Sequence, residues 1–402
     1  MECWVGPKSL SSRISRMLAR PGLFNTGNSG HNYSGGNLYT NLYSGGNYMS
    51  MDVELLNNGN EDGWREFTAS HDHTGIWHTL EWRDILASEY KFKSKYLLAK
   101  DNGEVCGVFP LFQIKSPITG NRIVSLPFSY HCGPVATSDD AYLELIKESQ
   151  RMADDLGCKY AEMKMLNPLS ENVVKNSNLI ENLYFHTSIL DLSSNPDDNW
   201  KKLDSRRTRW AVNKAIRSDV TIRTETDISD LKAHHKLKIL TRKKHGSPAP
   251  SFKFFKKIMD SFEDKGAVKL WVAEHEDNVI STLMFYTYKD VVMPAYIASN
   301  DAYNSLMPNN LLYWRSIEWG CNNGFKYFDF GRTEPNNESL LSFKRKWGCN
   351  NFKIPYYYYP HQPKLMSQNR HDSKTSFIRN TWKKMPDSVL EVLGPQLLKH
   401  VG

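Results

Sequence analysis

What the chain lacks removes several functional classes. Its six cysteines, Cys3, Cys106, Cys132, Cys158, Cys321 and Cys349, stand singly. They have neither the C-x-x-C spacing of a zinc site nor the density of a disulfide scaffold, so they read as free thiols in a reducing compartment. No stretch approaches about 18 uninterrupted apolar residues, which argues against a spanning helix. The N-terminus, MECWVGPKSLSSRISRMLARPGLF, has no apolar signal core, and Arg13, Arg16 and Arg20 make it a short basic leader. Asp329-Phe330-Gly331 spells the magnesium triplet of protein kinases. A glycine-rich phosphate loop, a VAIK-like strand lysine and an HRD-like loop are all missing, so the triplet needs another explanation.

What is present is globular. Of 402 residues, 40% are hydrophobic and 12% aromatic, including 11 Trp and 20 Tyr, enough to bury the cores of two domains. A formal charge of +7 permits anionic partners without selecting one. The basic and aromatic residues form no recognisable nucleic-acid module, so no DNA partner is expected. Residues 25–47, NTGNSGHNYSGGNLYTNLYSGGN, cannot bury enough apolar surface to offset their ordering entropy, and residues 1–50 read as a flexible leader.

From Met51 onward one plan occurs twice. Two apolar runs around Asp101-Asn102-Gly103 predict a hairpin, followed by a strand over 122–128, a helix over 141–156 and a strand over 157–163. A hairpin over 270–285, a strand over 291–298, a helix over 311–323 and a strand over 324–330 repeat the order. Gly157-Cys-Lys-Tyr-Ala-Glu162 lies over Gly324-Phe-Lys-Tyr-Phe-Asp329 at an offset of 167, and Ala99 and Val105 lie over Ala273 and Val279 at 174. Two similar α/β halves follow, over 51–195 and 196–360, with an amphipathic helical tail over 361–402. Asp329 then ends a buried strand, Gly324 caps the preceding helix, and Glu162 is Asp329's counterpart. Between the halves, residues 199–217 form a basic helical stretch with Arg206, Arg207, Arg209, Lys214 and Arg217.

This double plan resembles the GNAT acyltransferase fold in tandem. Its details are similar to the FemAB-like branch, particularly the FemAB-related proteins of exopolysaccharide export clusters. The residues that carry the resemblance include Gly107-Val-Phe-Pro-Leu111, Ser125-Leu-Pro-Phe128, Cys132-Gly-Pro134, Arg209, Lys214-Ala215, His245-Gly-Ser-Pro248, Pro308-Asn-Asn-Leu311 and, most specifically, Phe328 to Gly348. It implies an α/β, tandem duplicated GNAT (acyl-CoA N-acyltransferase) fold with two mixed-sheet halves. It also implies acyl or aminoacyl transfer onto an amino group of an envelope polysaccharide or peptidoglycan-type precursor.

On that resemblance Asp329, Tyr296 and Lys344 are the expected catalytic residues. Asp329 would orient or deprotonate the amine with a raised pKa, or else form a salt bridge to Arg332 or Lys344. Tyr296 would donate to the acyl oxygen. Arg209, Lys214, His245, Asn309, Asn310, Arg332 and Trp347 are expected to bind substrate, with an N-cap role open for the two asparagines. No metal and no tightly bound cofactor are expected; the co-substrate is acyl-CoA or aminoacyl-tRNA. Residues 301–310 contain none of the glycines of the usual pyrophosphate loop, which counts against an ordinary CoA cradle. The expected location is the cytoplasm, with peripheral contact at the inner membrane face through 382–401 as an alternative to a packed helical pair. A second reading stays open: a catalytically silent GNAT-fold protein that binds anionic glycan or scaffolds an exopolysaccharide export complex.

Overall fold

The computed structural model describes residues 51–363 and 373–401; the expected leader over 1–50 lies outside the described residues. The first part of the chain gives strands β1 (Asp52–Leu55), β2 (Lys93–Ser94), β3 (Leu97–Asp101), β4 (Glu104–Phe109), β5 (Phe112–Ser116), β6 (Gly120–Val124), β7 (Val135–Ala136), β8 (Ala161–Lys164) and β9 (Ile180–Asp191). The second gives β10 (Thr221–Arg223), β11 (Val268–His275), β12 (Asn278–Tyr288), β13 (Val291–Ser299), β14 (Tyr327–Thr333) and β15 (Asn350–Tyr359). The predicted hairpin joins β3 to β4, with Asn102 and Gly103 both at positive φ as such a turn requires.

The helices are α1 (Glu61–Ser70), α2 (Leu80–Tyr90), α3 (Asp139–Asp155), α4 (Glu171–Asn176), α5 (Pro196–Lys202), α6 (Trp210–Arg217), α7 (Ile228–Lys244), α8 (Phe252–Phe262), α9 (Pro308–Asn322), α10 (Glu338–Arg345), α11 (Ser373–Lys384) and α12 (Asp387–Val401). The basic stretch over 199–217 is not one helix. It breaks after Lys202 and re-enters through a π-type turn over Ser205–Arg209, where the Arg209 N–H donates to the Asp204 carbonyl, before α6. Gly324, at φ 77, ends the turn after α9 as predicted.

The expectation of two separate mixed sheets is corrected. A four-stranded sheet, β1-β3-β4-β7, is wholly antiparallel, and one eleven-stranded mixed sheet runs β10-β11-β12-β13-β14-β9-β15-β8-β6-β5-β2 through both halves. The reason is an exchange of strands. β9, from the first half, pairs with β14 of the second, and β15, from the second half, pairs with β8 of the first. β9 and β15 then pair with each other at the centre. The duplication survives this exchange: β3–β4 carries a register shift at Ala99/Lys100, and β11–β12 carries one at Ala273/Glu274, the same repeat position.

Three main apolar clusters hold the layers. On one face of β11–β13, Met284 and Tyr286 pack with α8 residues Phe254, Phe255 and Ile258 and with Trp77, Trp82 and Tyr96 of the first half, so this core is shared between halves. On the opposite face, Leu283 and Phe285 pack against Leu311, Leu312 and Ile317 of α9. The third cluster lies under α3. Burial of these side chains at about 25 cal/mol per Å² is the main stabilising term.

Candidate functional site

Strands β13 and β14 pair in parallel only at Val291–Tyr327 and Val292–Phe328; beyond these residues they separate. A register shift between Met284 and Phe285 bends β12 against β13 at the same level. Pro294, which has no N–H to donate, stands just past the last paired residue, where β14 no longer needs one. The result is a split whose lips carry polar groups: Tyr296 on β13, and Asp329, Gly331 and Arg332 on β14.

β14 carries an extra residue against β9, because Asp329 faces Ile189 and Arg332 faces Thr187. Gly331 absorbs this bulge at φ 74, and a Cβ there would come within 2.6 Å of the Tyr130 ring. The bulge turns the Gly331 N–H onto Asp329 Oδ1 at 2.8 Å, and the Thr187 hydroxyl donates to the same oxygen at 2.7 Å. Asp329 Oδ2 lies 3.5 Å from His131 Nε2. Burial pushes the Asp329 pKa up, but the His131, Thr187 and Gly331 donors outweigh it and hold the group below the ordinary carboxylate range. The expectation of a raised pKa is thus corrected, and so is the expected pairing with Arg332 or Lys344. Asp329 is a buried carboxylate within a strand, already surrounded by donors.

Lys344, buried on α10, donates from Nζ to the Gly331 carbonyl at 2.6 Å, and burial lowers its pKa to about 8. Arg332 turns to the first half. Its guanidinium stacks 4.3 Å above the Phe185 ring, and Nη1 donates to the Tyr356 hydroxyl at 2.8 Å. That hydroxyl in turn donates to the Tyr130 carbonyl at 2.7 Å. Residues 125–134 of the first half therefore form the far wall, delivering Tyr130 and His131 to β14. In the first half, β6 and β8 also share only two parallel pairs, but this same loop fills the space, with Cys132 N–H donating to the Lys164 carbonyl at 2.7 Å.

Helix α7 closes the β13 side with a polar face. His234 meets the Thr282 hydroxyl at 2.8 Å, Lys238 Nζ donates to the Ile297 carbonyl at 3.1 Å and sits over the Tyr296 ring, and Arg242 Nε donates to the Pro248 carbonyl at 2.8 Å. The Tyr296, Tyr286 and Tyr130 hydroxyls crowd one another in this space, and burial raises all three pKa values.

The other predicted residues stand elsewhere. Trp347 is fully buried between Tyr313, Phe330 and Phe343, so it is core and not a ligand contact. Asn309 is not an N-cap: α9 begins at Pro308 after Met307 at φ 60, and the Asn309 side chain is engaged by Ser281 and Ser299. Asn310 donates its N–H to the Met307 carbonyl. Lys214 sits 5.4 Å over the Trp210 ring on α6, and Arg209 ends the π-type turn; neither bonds the residues around Asp329. His245 caps the exposed end of α7, and its carbonyl accepts from Arg379. Tyr130, Thr187, Lys238 and Arg242 are not singled out by the sequence, and His131 stands there only as a neighbour of Cys132 with no evident third partner for Cys/His chemistry. Only Tyr130 and His131 lay near a quoted motif; Lys238 and Arg242 share a helix face at i, i+4, a spacing visible in the sequence but mute without the neighbouring tyrosines.

Two surface grooves, one lined by Lys269, Trp271 and Trp319 and the other by Ile222, Leu311 and Trp319, hold none of these groups. Among the described residues no cluster of three or more His, Cys, Asp or Glu is placed to hold a metal ion, and no helix is long and apolar enough to cross a membrane.

Residues 204–345, which contain the split and most of its lining, match the family model described as Acetyltransferase (GNAT) domain. Among solved structures, FemX is similar with a TM-score of 0.61 at 15% identity, over 79% of this chain and 99% of that one. The C-terminal domain assigned to a lysylphosphatidylglycerol synthetase of Agrobacterium fabrum follows at 0.52 and 10%, covering 80% and 95%. A tandem GNAT protein from the clavulanic acid biosynthesis pathway gives 0.50 and 9%, covering 79% and 100%. No curated protein matches the chain in sequence. At these identities the likeness is one of fold: an α/β, GNAT-type architecture in duplicate.

Proposed function

We propose that the chain transfers an acyl or aminoacyl group onto an amine in the split between β13 and β14. The observation that carries this reading is the separation of the two strands after Val292 and Phe328, with Tyr296 on one lip and the Asp329–His131 pair on the other. An extended donor fits between strands that offer unpaired backbone edges. The amine nitrogen bonds to the acyl carbon, and its proton passes to His131, whose imidazolium is matched by the Asp329 carboxylate. Tyr296 donates to the tetrahedral oxyanion. The C–S or C–O ester bond then breaks, and the leaving thiolate or alkoxide takes the proton from His131. Lys344 fixes the Gly331 carbonyl and so the bulge that aims Asp329, and Arg332 braces the far wall through Phe185 and Tyr356. The acceptor is an amine-bearing envelope glycan or peptidoglycan-type precursor, as the FemAB-like sequence features and the fold match to FemX support.

One observation favours the silent, glycan-binding alternative. At the start of α9, Pro308 has no N–H and the Asn310 and Leu311 N–H groups turn back to Met307, leaving little to cradle a pyrophosphate. The test is to incubate the full chain with acetyl-CoA, longer acyl-CoAs or aminoacyl-tRNA and an amine-bearing glycan precursor, with mass detection of the product. Transfer that disappears in Asp329→Asn and His131→Ala supports the reading. Absence of transfer together with a melting shift by acidic polysaccharide alone replaces it with the binding protein.

A further inference from the structure

Lys238 and Arg242 are cations without an anion. They stand one turn apart on the inward face of α7, Lys238 only 9% exposed and Arg242 half-buried, and neither is paired with a carboxylate among the described residues. Lys238 has only the Ile297 carbonyl at 3.1 Å, and Arg242 spends Nε on the Pro248 carbonyl at 2.8 Å. The other groups that face them are the phenols of Tyr296 and Tyr130, which are neutral and can donate. Thr241, between the two on the same helix, meets Ser299 of β13. At the exposed end of α7, Lys244 is already paired with Asp301 at 2.9 Å, and burial lowers the His245 pKa. Burying two like charges side by side is costly, and burial followed by the Arg242 charge drives the Lys238 pKa down to about 7.

Such an arrangement is unfavourable for the empty protein and favourable once an oxyanion enters. The Lys238 ammonium over the Tyr296 ring, the Arg242 guanidinium and the nearby Tyr130 and Tyr296 hydroxyls make a donor set suited to a phosphate or carboxylate. Helix α7 lies on the face of β11–β13 that carries Met284 and Tyr286, and α9 lies on the opposite face with Leu283 and Phe285. The pair is therefore separated by the sheet from the helix start at Pro308.

We infer that Lys238 and Arg242, with the Tyr130 and Tyr296 hydroxyls, form a binding site for an oxyanion, phosphate or carboxylate, carried by the acceptor molecule. The assignment to the acceptor rests on the acyl-transfer reading; the anion site itself does not. The acceptor class that follows bears its negative group close to the amine that is acylated, because Tyr296 belongs to both the anion site and the lip of the split.

The site is tested on the full chain by calorimetry with inorganic pyrophosphate and with succinate at constant ionic strength, with and without saturating CoA. Lys238 reactivity toward an amine-acylating reagent, read by peptide mass mapping, gives a second signal that does not depend on activity. Saturable binding weakened at least about tenfold in both Lys238→Gln and Arg242→Met, and unchanged in Lys269→Gln on the opposite face, is the expected result; each lost charged contact contributes at least this much. Pyrophosphate or succinate should also protect Lys238 from the reagent in the wild-type chain, so the result does not hang on the folding of a variant. Whichever probe binds more tightly names the group. Equal affinity in the two variants, or an effect that follows ionic strength alone, overturns the site. Displacement of the probe by CoA overturns its assignment to the acceptor. Failure of acyl transfer with the anion bound would sink the activity and leave the site standing.

Discussion

At the scale of single residues, the arrangement rests on Asp329 and what surrounds it. Asparagine in its place keeps an acceptor for Thr187 and Gly331 but removes the charge that orients His131. Asp329→Asn is expected to melt within a few degrees of the wild type and to lose about 100-fold or more in turnover, the usual scale for an oriented proton acceptor. His131→Ala should lose as much, and the double variant little more than either single one, because the two act as a unit. Undiminished turnover in Asp329→Asn would remove the pair from the chemistry. Gly331→Ala tests the bulge: its positive φ and the 2.6 Å approach to Tyr130 both oppose a methyl group, so urea unfolding should show a loss of about 2–4 kcal/mol. Tyr130→Ala in the same chain should recover the steric share and leave the backbone share. The Asp-Phe-Gly triplet was thus legible as part of a strand, whereas the neighbour that demands its glycine lies about 200 residues away.

At the scale of elements, α7 and α10 each bury a lysine at a cost to the folded state. For a base whose folded pKa lies below its unfolded value, the unfolded chain binds more protons between the two, so stability rises with pH across that window. With Lys238 at about 7 and Lys344 at about 8, against an ordinary 10.5, the urea midpoint should rise from about pH 7 toward pH 9.5. Above about pH 10 the buried tyrosines oppose this, since their phenols resist ionisation in the folded chain. Replacing Lys238 by Met should flatten the rise; an unaltered slope would mean that the ammonium is not desolvated. The same helix shows why part of the site was unreadable. Apolar periodicity finds the helix from Leu231, Leu237 and Ile239, but it does not reveal that His234 and Lys238 are buried beside them with Arg242 half-buried one turn on. The hairpin at Asn102-Gly103 is set by its own turn residues, both at positive φ, and is legible in the sequence.

At the scale of the whole molecule, the repeat could be read from Gly157 over Gly324, but the exchange of β9 and β15 could not. Nothing local in either strand says which half it will pair with, and register across a sheet is set by neighbours. The exchange makes the halves interdependent. Chains comprising residues 51–195 and 196–401, produced separately, should be insoluble or unfold without cooperativity, and should be recovered as a soluble pair when produced together. A soluble 51–195 fragment with a sharp unfolding transition would contradict this.

The borrowed strand also sets an order of events during synthesis. β8 ends at Lys164, but the β15 segment that covers its edge ends at Tyr359, about 200 residues later. At ~5–20 residues per second the ribosome needs about 10–40 s to deliver it. Throughout that interval the nascent chain carries an uncovered strand edge of the kind that invites pairing with other chains. A cell that makes this protein must therefore shelter its first half until almost the last of its second half has emerged.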